Sequence, residues 1–261
     1  MKKTPKDIDV KQVTEWRCPD EGGAPIICMP NVPKPLHLLC PRNELGKATW
    51  DRMRRACYAN ANYKCEICGA EVGKDIEKRQ LHAHELYDID YETGTSKFVR
   101  CVALCSLCHL GGIHTGRAIT LYKQGNPLYP KEFLLAGAEN AFKLVHDYNK
   151  EHPDADLRLF DTFLEYLKVA DLEQPMRDLI RKYDVKFYTA SEKLVPWGDW
   201  KLVIGNKEYR TPYADVKEWE EAMKDHGKKD TGRMAVDRFT GGVYDEVDKI
   251  LKSLDKDANA S

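Results

Sequence analysis

The sequence predicts an α+β fold, and three observations support this prediction. Segments with the apolar spacing of helices occur along the chain together with short β-prone segments. Two C-x-x-C pairs, Cys65/Cys68 and Cys105/Cys108, enclose two of these β-prone segments. Residues 1–46 contain many prolines, which exclude long helices from that stretch. We therefore expect an extended N-terminal arm at 1–46, a compact central module at 47–124 and a mostly helical C-terminal region, with a small hairpin, at 125–261.

Length and composition narrow the class of protein. A chain of 261 residues can form one large or two modest domains with ample core. No apolar run approaches the roughly twenty residues of a membrane span, and the opening MKKTPKDIDV lacks the apolar run of a signal peptide. Five of the nine cysteines lie outside the two pairs at irregular spacing, as expected of reduced thiols. We expect no membrane partner and a cytoplasmic location.

The charge is distributed unevenly along the chain. The net charge is -1, yet residues 1–64 carry 12 Lys+Arg against 7 Asp+Glu, whereas residues 125–261 carry 22 against 27. The positive charge therefore lies close to the central module. A phosphate-binding surface and an ordinary solvated face both explain this asymmetry. The acidic C-terminal region is a candidate surface for a protein partner.

The arm leads into a predicted helix at Lys47–Ala61. Helical spacing places Trp50, Met53, Cys57 and Tyr58 on one side of it. Three closely spaced arginines on its other side could bind a nucleic-acid backbone or simply face solvent; they are Arg52, Arg54 and Arg55. Six apolar residues are expected to anchor the arm to the core: Trp16, Ile26, Ile27, Leu36, Leu38 and Leu39.

The two cysteine pairs predict a structural zinc site. A tetrahedral zinc ion bound by four thiolates needs paired turns of this kind, each presenting two sulfurs. Two disulfides or four buried thiols are the alternatives, although disulfides suit secreted chains, and nothing in this sequence indicates secretion. We therefore expect Cys65, Cys68, Cys105 and Cys108 to bind zinc.

Between and after these pairs the sequence predicts strand, loop, strand and helix. Gln80–Tyr87 (QLHAHELY) is expected to be a strand with His82 and His84 on one face and Glu85 on the other. Val99–Leu104 predicts the second strand. Ser106–Ile119 predicts a helix that carries His109 and His114. Imidazoles on a strand and a neighbouring helix form a compact frame for a divalent metal ion beside a base.

The C-terminal region is predicted from periodicity and turn residues alone. We expect helices at Lys131–Asn149, Leu157–Val169, Asp171–Tyr183, Ala214–His226 and Val243–Leu254. Strands are expected at Val185–Ala190, Trp200–Ile204 and Glu208–Arg210, the last two as a hairpin.

The central module resembles the HNH endonucleases, the zinc-stabilised branch of the ββα-metal nucleases. The matching parts are the first C-x-x-C, the histidine in LHAHELY, the loop ending in VRCVALC, and C-x-x-C-H followed by a second histidine. The resemblance covers about fifty residues and implies a ββα-metal core. It also implies that His84 is the general base, that His109 and His114 hold a catalytic divalent ion, and that Glu85 is a candidate third ligand.

Three features depart from the family pattern. Arg100 stands near the position of the middle asparagine, where it could contact phosphate, as could Arg117. His109 and His114 are five residues apart instead of four, so the helix must bulge or begin late for both to face one ion. The register of His82, His84 and Glu85 allows base-then-ligand or ligand-then-base. His82 is expected to be a packing or surface residue.

The expected function is hydrolysis of DNA phosphodiester bonds by an HNH one-metal mechanism. The metal would be Mg²⁺ or Mn²⁺, with Ni²⁺ or Zn²⁺ as alternatives because imidazole ligands suit softer ions. The alternative is a zinc-stabilised DNA- or protein-binding module without catalysis, favoured by the missing asparagine and the Gly-Gly spacing.

Overall fold

The computed structural model describes residues 7–71 and 81–230. In chain order its elements are β1 (Val10–Val13), β2 (Glu15–Trp16), α1 (Ala24–Ile27), α2 (Pro41–Glu44), α3 (Lys47–Asn60), β3 (Leu81–Asp90), β4 (Thr95–Cys105), a π-helix (Leu107–Ile113), α4 (Thr115–Lys123), α5 (Lys131–Glu151), β5 (Leu159–Phe160), a 3₁₀ helix (Asp161–Lys168), α6 (Ala170–Tyr183), β6 (Phe187–Ala190), β7 (Lys201–Ile204), β8 (Lys207–Arg210) and α7 (Val216–Asp230). The predicted α+β class is confirmed.

The strands form two sheets. The larger sheet has the order β2-β3-β4-β7-β8, in which only the β4–β7 pair is parallel. The smaller sheet has the order β1-β6-β5 and is entirely parallel. The predicted hairpin near Gly205 corresponds to β7 and β8. The two strands predicted between the cysteine pairs are the long antiparallel pair β3 and β4.

The β3–β4 pair is covered on both faces because both faces carry apolar or small residues. On one face Ala83 and Ala103 pack against Trp50, Cys57 and Tyr58 of α3. On the other face Leu86, Val102 and Leu104 enter the main core, which also contains residues of the π-helix, α5 and α6. His82 and His84 lie on this second face because side chains alternate along a strand.

The N-terminal arm is built into the fold through its apolar residues. Its two short strands pair with β6 and β3, and Ile26, Ile27 and Leu36 are at most 2% exposed. Leu38 was wrongly expected to be an anchor: its side chain is 40% exposed and its backbone has φ +72°. Because the main core contains residues from arm, centre and C-terminal region, it is continuous across the three predicted domains; their boundaries stay a prediction.

Two predicted helices differ from the structure. Leu157–Val169 was expected to be one α-helix, but Leu159 and Phe160 pair with β6 as a strand and a 3₁₀ helix follows. Pairing with a neighbouring strand here overrides the local helical spacing. Ser106–Ile119 is divided into the π-helix and α4, with the break at His114. The predicted helix Val243–Leu254 and the first residue of the predicted strand, Gln80, lie outside the described residues.

Candidate metal centres

Four cysteine sulfurs converge where the turn after α3 meets the end of β4 and the start of the π-helix. The ligand atoms of Cys65, Cys68, Cys105 and Cys108 all lie within 4.8 Å of one another. The Sγ atoms of Cys68 and Cys105 are 3.8 Å apart. Two thiolates bound at about 2.3 Å to one tetrahedral zinc ion are separated by about 3.8 Å, so this spacing fits such an ion. The four cysteines can therefore hold a metal ion such as zinc.

The first cysteine turn depends on local backbone hydrogen bonds. Gly69 follows Cys68 with φ +72°, a conformation that favours glycine, and its amide donates to the Cys65 carbonyl at 2.8 Å. Between the two cysteines, Glu66 ties the turn to β4: its carboxylate accepts hydrogen bonds from the Ala103 amide at 2.8 Å and from Arg100 at 2.7 Å. The turn is thus held against the strand that supplies Cys105.

The second pair joins β4 to the π-helix. Cys105 is the last residue of β4, and Cys108 lies in the first turn of the π-helix. The Cys108 sulfur accepts a hydrogen bond from the side-chain amide of Asn140 on α5 at 3.5 Å. Thiol hydrogen bonds, with Cys105 the largest contributor, lower the pKa of Cys65. In the same cluster, hydrogen bonds to the neighbouring thiols, that to Cys105 first among them, raise the pKa of Cys108. The thiolate is the form of cysteine that binds a metal ion.

A second cluster consists of histidines from β3, the π-helix and the residue that follows it. The ligand nitrogens of His84, His109 and His114 lie within 4.8 Å of one another. The ring centroid of His84 lies 5.1 Å from the ring centroid of His109 and 4.9 Å from that of His114. His82 joins the cluster, because its ring stacks on His109 at 4.5 Å with an interplanar angle of 14°.

The π-helix explains how two histidines five residues apart face the same point. The amide of His114 donates to the carbonyl of His109 at 3.0 Å, which is the i→i+5 bond of a π-helix. Residues five apart are therefore one turn apart, as residues four apart would be in an α-helix. The two Nε2 atoms lie 3.2 Å from each other. The bulge expected from the sequence is thus a complete π-helical segment.

Glycines fix this segment against α5. A Cβ atom on Gly137 would lie 2.5 Å from the Cα and O atoms of Gly111, and one on Gly112 would lie 2.8 Å from Ile27. At Gly112 the added atom would meet the end of the Ile27 side chain of α1. At the Gly137–Gly111 contact no side chain fits, so the π-helix and α5 approach backbone to backbone. This close approach sets the position of His109, which stands two residues before Gly111.

The histidine cluster is electrostatically suited to bind a cation. Burial lowers the pKa of His82 and of His114 to about 4, with the charge of Arg117 contributing at His114. Burial also holds the pKa of His84 and His109 well below the usual value. Neutral imidazole is the ligand form of histidine. Two nitrogens bound to one tetrahedral ion at about 2.0–2.1 Å lie about 3.3 Å apart, close to the observed His109–His114 separation.

Glu85 does not reach the histidine cluster. It lies opposite Cys101 in the β3–β4 register, on the face of the strand opposite to His84. Burial raises the pKa of its carboxyl group, and the charge of Arg42 partly offsets this. The structure thus brings His84, His109 and His114 together without the acidic third ligand expected from the resemblance.

The predicted nucleic-acid-binding arginines have different surroundings. Arg117, on α4, is exposed and close enough to His114 for its charge to affect the pKa of that ring. Arg100 forms the ion pair with Glu66, so its charge serves the cysteine turn. The three arginines of α3 belong to the helix that covers the opposite face of β3–β4: Arg52 and Arg55 are exposed, and Arg54 lies over the Tyr58 ring.

Two residues of these centres were not identified from the sequence. Asn140 lies in a helix that periodicity predicts, but nothing in its sequence surroundings indicates a contact with Cys108. His82 was considered a packing residue, and its place in a four-histidine cluster depends on the π-helix. Its spacing of two from His84 on a strand was the available signal.

No family model, curated protein or solved structure matches this chain. Within the described residues, none of the helices combines the length and the apolar character that crossing a membrane requires.

Proposed function

We propose that this protein is a metal-dependent endonuclease of the HNH type that hydrolyses DNA phosphodiester bonds. One observation carries the proposal: a histidine of a β-strand and two histidines of an adjoining helical segment present their nitrogens within 4.8 Å of one another. This strand-and-helix arrangement beside four clustered cysteines is the one that the resemblance implies. All nine cysteines are free thiols, which agrees with a reducing, cytoplasmic setting.

In this proposal zinc at Cys65, Cys68, Cys105 and Cys108 is structural. Three of these cysteines are buried and all four have cysteine neighbours, which leaves no room for a substrate among them. The role of zinc is to connect the first cysteine turn with the end of β4 and the start of the π-helix. Because Cys108 and His109 are consecutive, the ion fixes the backbone that carries the first histidine ligand.

The reaction is assigned to the histidine cluster. His109 and His114 would hold a divalent ion, which would supply a positive charge for the phosphate and lower the pKa of a water molecule. His84 would accept the proton of the attacking water. Burial lowers its pKa, which keeps the ring neutral but makes it a weaker base, so the transfer would depend on the ion lowering the pKa of that water. Arg117 is placed to contact a phosphate of the substrate, since it is exposed beside His114.

The ligand atoms of the histidine cluster indicate which metal ion it would bind. Within the described residues the cluster offers imidazole nitrogens and no carboxylate. Magnesium prefers oxygen ligands, and imidazole suits Ni²⁺, Zn²⁺ and similar ions better than Mg²⁺ or Mn²⁺. We therefore propose that a transition metal supports cleavage better than Mg²⁺.

The test is cleavage of supercoiled plasmid by the zinc-loaded protein with Mg²⁺, Mn²⁺, Ni²⁺ or Zn²⁺ added in separate reactions. The wild type should nick plasmid with a transition metal, and His84→Ala should lose at least about 100-fold in rate, as expected for loss of a general base. His146→Ala is the matched control, because His146 contacts the Tyr183 carbonyl away from the cluster. Equal, negligible nicking by all three proteins would contradict the proposal.

The second candidate is a zinc-stabilised binding module for DNA or for another protein, the latter through the acidic C-terminal region. Its support is that His84 lies close enough to His109 and His114 to be a third metal ligand, which would leave no separate base. Nickel stoichiometry separates the two roles of His84. If His84→Ala still binds one Ni²⁺ per chain, His84 is available as a base; if binding is lost, His84 is a ligand.

The α3 arginines are retained as a separate DNA contact in this proposal. They lie on the opposite side of the β3–β4 pair from the histidines, so they would contact the nucleic-acid backbone at phosphates other than the one that reacts. Replacing Arg52, Arg54 and Arg55 by Ala should weaken DNA binding and reduce its salt dependence, whereas Arg117→Ala should reduce cleavage more than binding. Unchanged affinity and salt dependence in the triple variant would remove α3 from the interface.

A further inference from the structure

We propose that His82 is a positioning residue that holds the ring of His109 in its metal-binding orientation. The inference rests on the proposed metal site of His109 and His114, beside which His84 lies, and it assigns a role to the fourth histidine of the cluster.

His109 lacks the hydrogen bond that ordinarily orients a histidine ligand. A metal-bound imidazole usually donates its second ring N–H to a carboxylate, a carbonyl or water, and this bond fixes the ring. In His109, Nε2 points towards Nε2 of His114, while Nδ1 is buried without a hydrogen-bond partner among the described residues. The orientation of this ring must therefore come from its packing neighbours.

His82 is the neighbour that covers the flat face of the His109 ring. The two rings are nearly parallel, 14° apart at a centroid distance of 4.5 Å, whereas His84 and His114 meet His109 edge to face. The parallel neighbour adds contact along the whole flat face of the ring, and tilting the His109 ring would break this contact. His82 is not among the three histidines whose ligand nitrogens lie within 4.8 Å of one another.

The ring of His82 is itself held in place. Its Nε2 atom lies 3.2 Å from Oγ of Ser106, and Ser106 is 4% exposed between the two cysteines of the second pair. His82 also lies opposite Leu104 in the β3–β4 register, which fixes its backbone. His82 thus connects the cysteine-bearing turn to the orientation of His109 through one hydrogen bond and one ring stack.

The test measures Ni²⁺ affinity by calorimetry on zinc-loaded protein. His82→Ala removes the stack and should weaken Ni²⁺ binding by about 10- to 100-fold, the usual cost of losing a supporting residue. His82→Phe keeps a flat ring over His109 and should retain most of the affinity. His146→Ala is the control for replacing a histidine outside the cluster. One zinc per chain and an unchanged far-ultraviolet circular dichroism spectrum establish that each variant is folded.

The visible absorption of bound Co²⁺ provides a readout of ligand orientation. His82→Ala should shift the cobalt bands, and His82→Phe should leave them close to those of the wild type. Wild-type affinity and spectrum in His82→Ala would overturn the inference, as would complete loss of binding equal to that of His109→Ala, since His82 would then be a ligand.

The outcome separates this inference from the proposed function. Nickel binding without plasmid cleavage would contradict the nuclease and leave the role of His82 intact. Failure of the wild type to bind Ni²⁺ would remove the metal site, and the inference with it.

Discussion

Gly137 shows how the position of the histidine cluster depends on a residue that has no side chain. It lies on α5, yet its Cα faces the backbone of Gly111 in the π-helix so closely that a methyl group would overlap the Gly111 carbonyl group. Glycine is unfavourable within a helix by about 0.5–1 kcal/mol relative to alanine. Its presence at this position is therefore explained by the contact, and not by helix formation.

Gly137→Ala should lower the free energy of unfolding by about 1–3 kcal/mol, because the added methyl group overpacks the contact. It should also weaken Ni²⁺ binding, since the π-helix would have to move away from α5. Gly116→Ala is the matched control: its new Cβ would meet only Asn31, at 3.7 Å. Urea unfolding and nickel titration of both variants test this, and equal stability of the two would contradict the packing argument.

At the scale of elements, the C-terminal helix α7 is joined to the N-terminal arm through one histidine. The indole N–H of Trp219 donates to Nδ1 of His37 at 3.1 Å, and the His37 Nε2–H donates to the Val32 carbonyl at 3.0 Å. Both ring nitrogens are thus used, and the ring must be neutral for Nδ1 to accept. Burial lowers the pKa of His37, and the nearby charge of Lys34 acts in the same direction.

This contact should weaken in mild acid. As the pH falls through about 6.5, His37 takes up a proton in the unfolded chain but not yet in the folded chain, so the free energy of unfolding decreases. The decrease ends once the pH is below the lowered pKa of the folded state. His37→Gln should reduce the difference in stability between pH 7.5 and pH 5.5, measured by urea unfolding of metal-loaded protein. An identical pH dependence in wild type and variant would exclude this role of His37.

The helices and strands also show which parts of the structure can be predicted from the sequence and which cannot. The helices now seen as α3, α5 and α6 and the β7–β8 hairpin follow from local periodicity, and the C-x-x-C spacing predicted the convergence of the four sulfurs. The π-helix did not follow from local rules, because its i→i+5 ladder depends on a glycine twenty-six residues away in α5. Strand β5 was missed for a similar reason, since its pairing partner Phe187 is distant in sequence. Glu85 was named as a ligand although the alternation of its own strand already placed it on the other face.

For the whole molecule, the cysteine cluster is part of the main core. Cys65, Cys105 and Cys108 belong to the same buried cluster as Ile26 of the arm, Phe133 of α5 and Ile180 of α6. If the cysteine turns became disordered, the core packing between the N-terminal arm, α5 and α6 would therefore be disrupted. We expect the described parts of the chain to unfold as one unit.

Removal of the proposed zinc ion should abolish this cooperative unfolding. A structural zinc site contributes its binding free energy to folding, so a chelator acting on the purified protein should broaden or eliminate the thermal transition. Cys105→Ser should have the same effect, whereas Cys101→Ser, on the same strand but outside the cluster, should not. Circular dichroism with metal analysis tests this; an unchanged melting temperature in protein shown to lack zinc would contradict it.

The peptide bond between Cys108 and His109 makes the two clusters neighbours in sequence as well as in space. Of the four sulfurs, that of Cys68 is in the most exposed residue, so an oxidant in solution would reach it first. Oxidation there would remove one of the four sulfur donors of the cluster, and we expect this to loosen the segment that carries His109. We expect the histidine cluster then to lose its geometry without any chemical change to a histidine, so that an oxidant acting on one sulfur would disturb the neighbouring imidazoles.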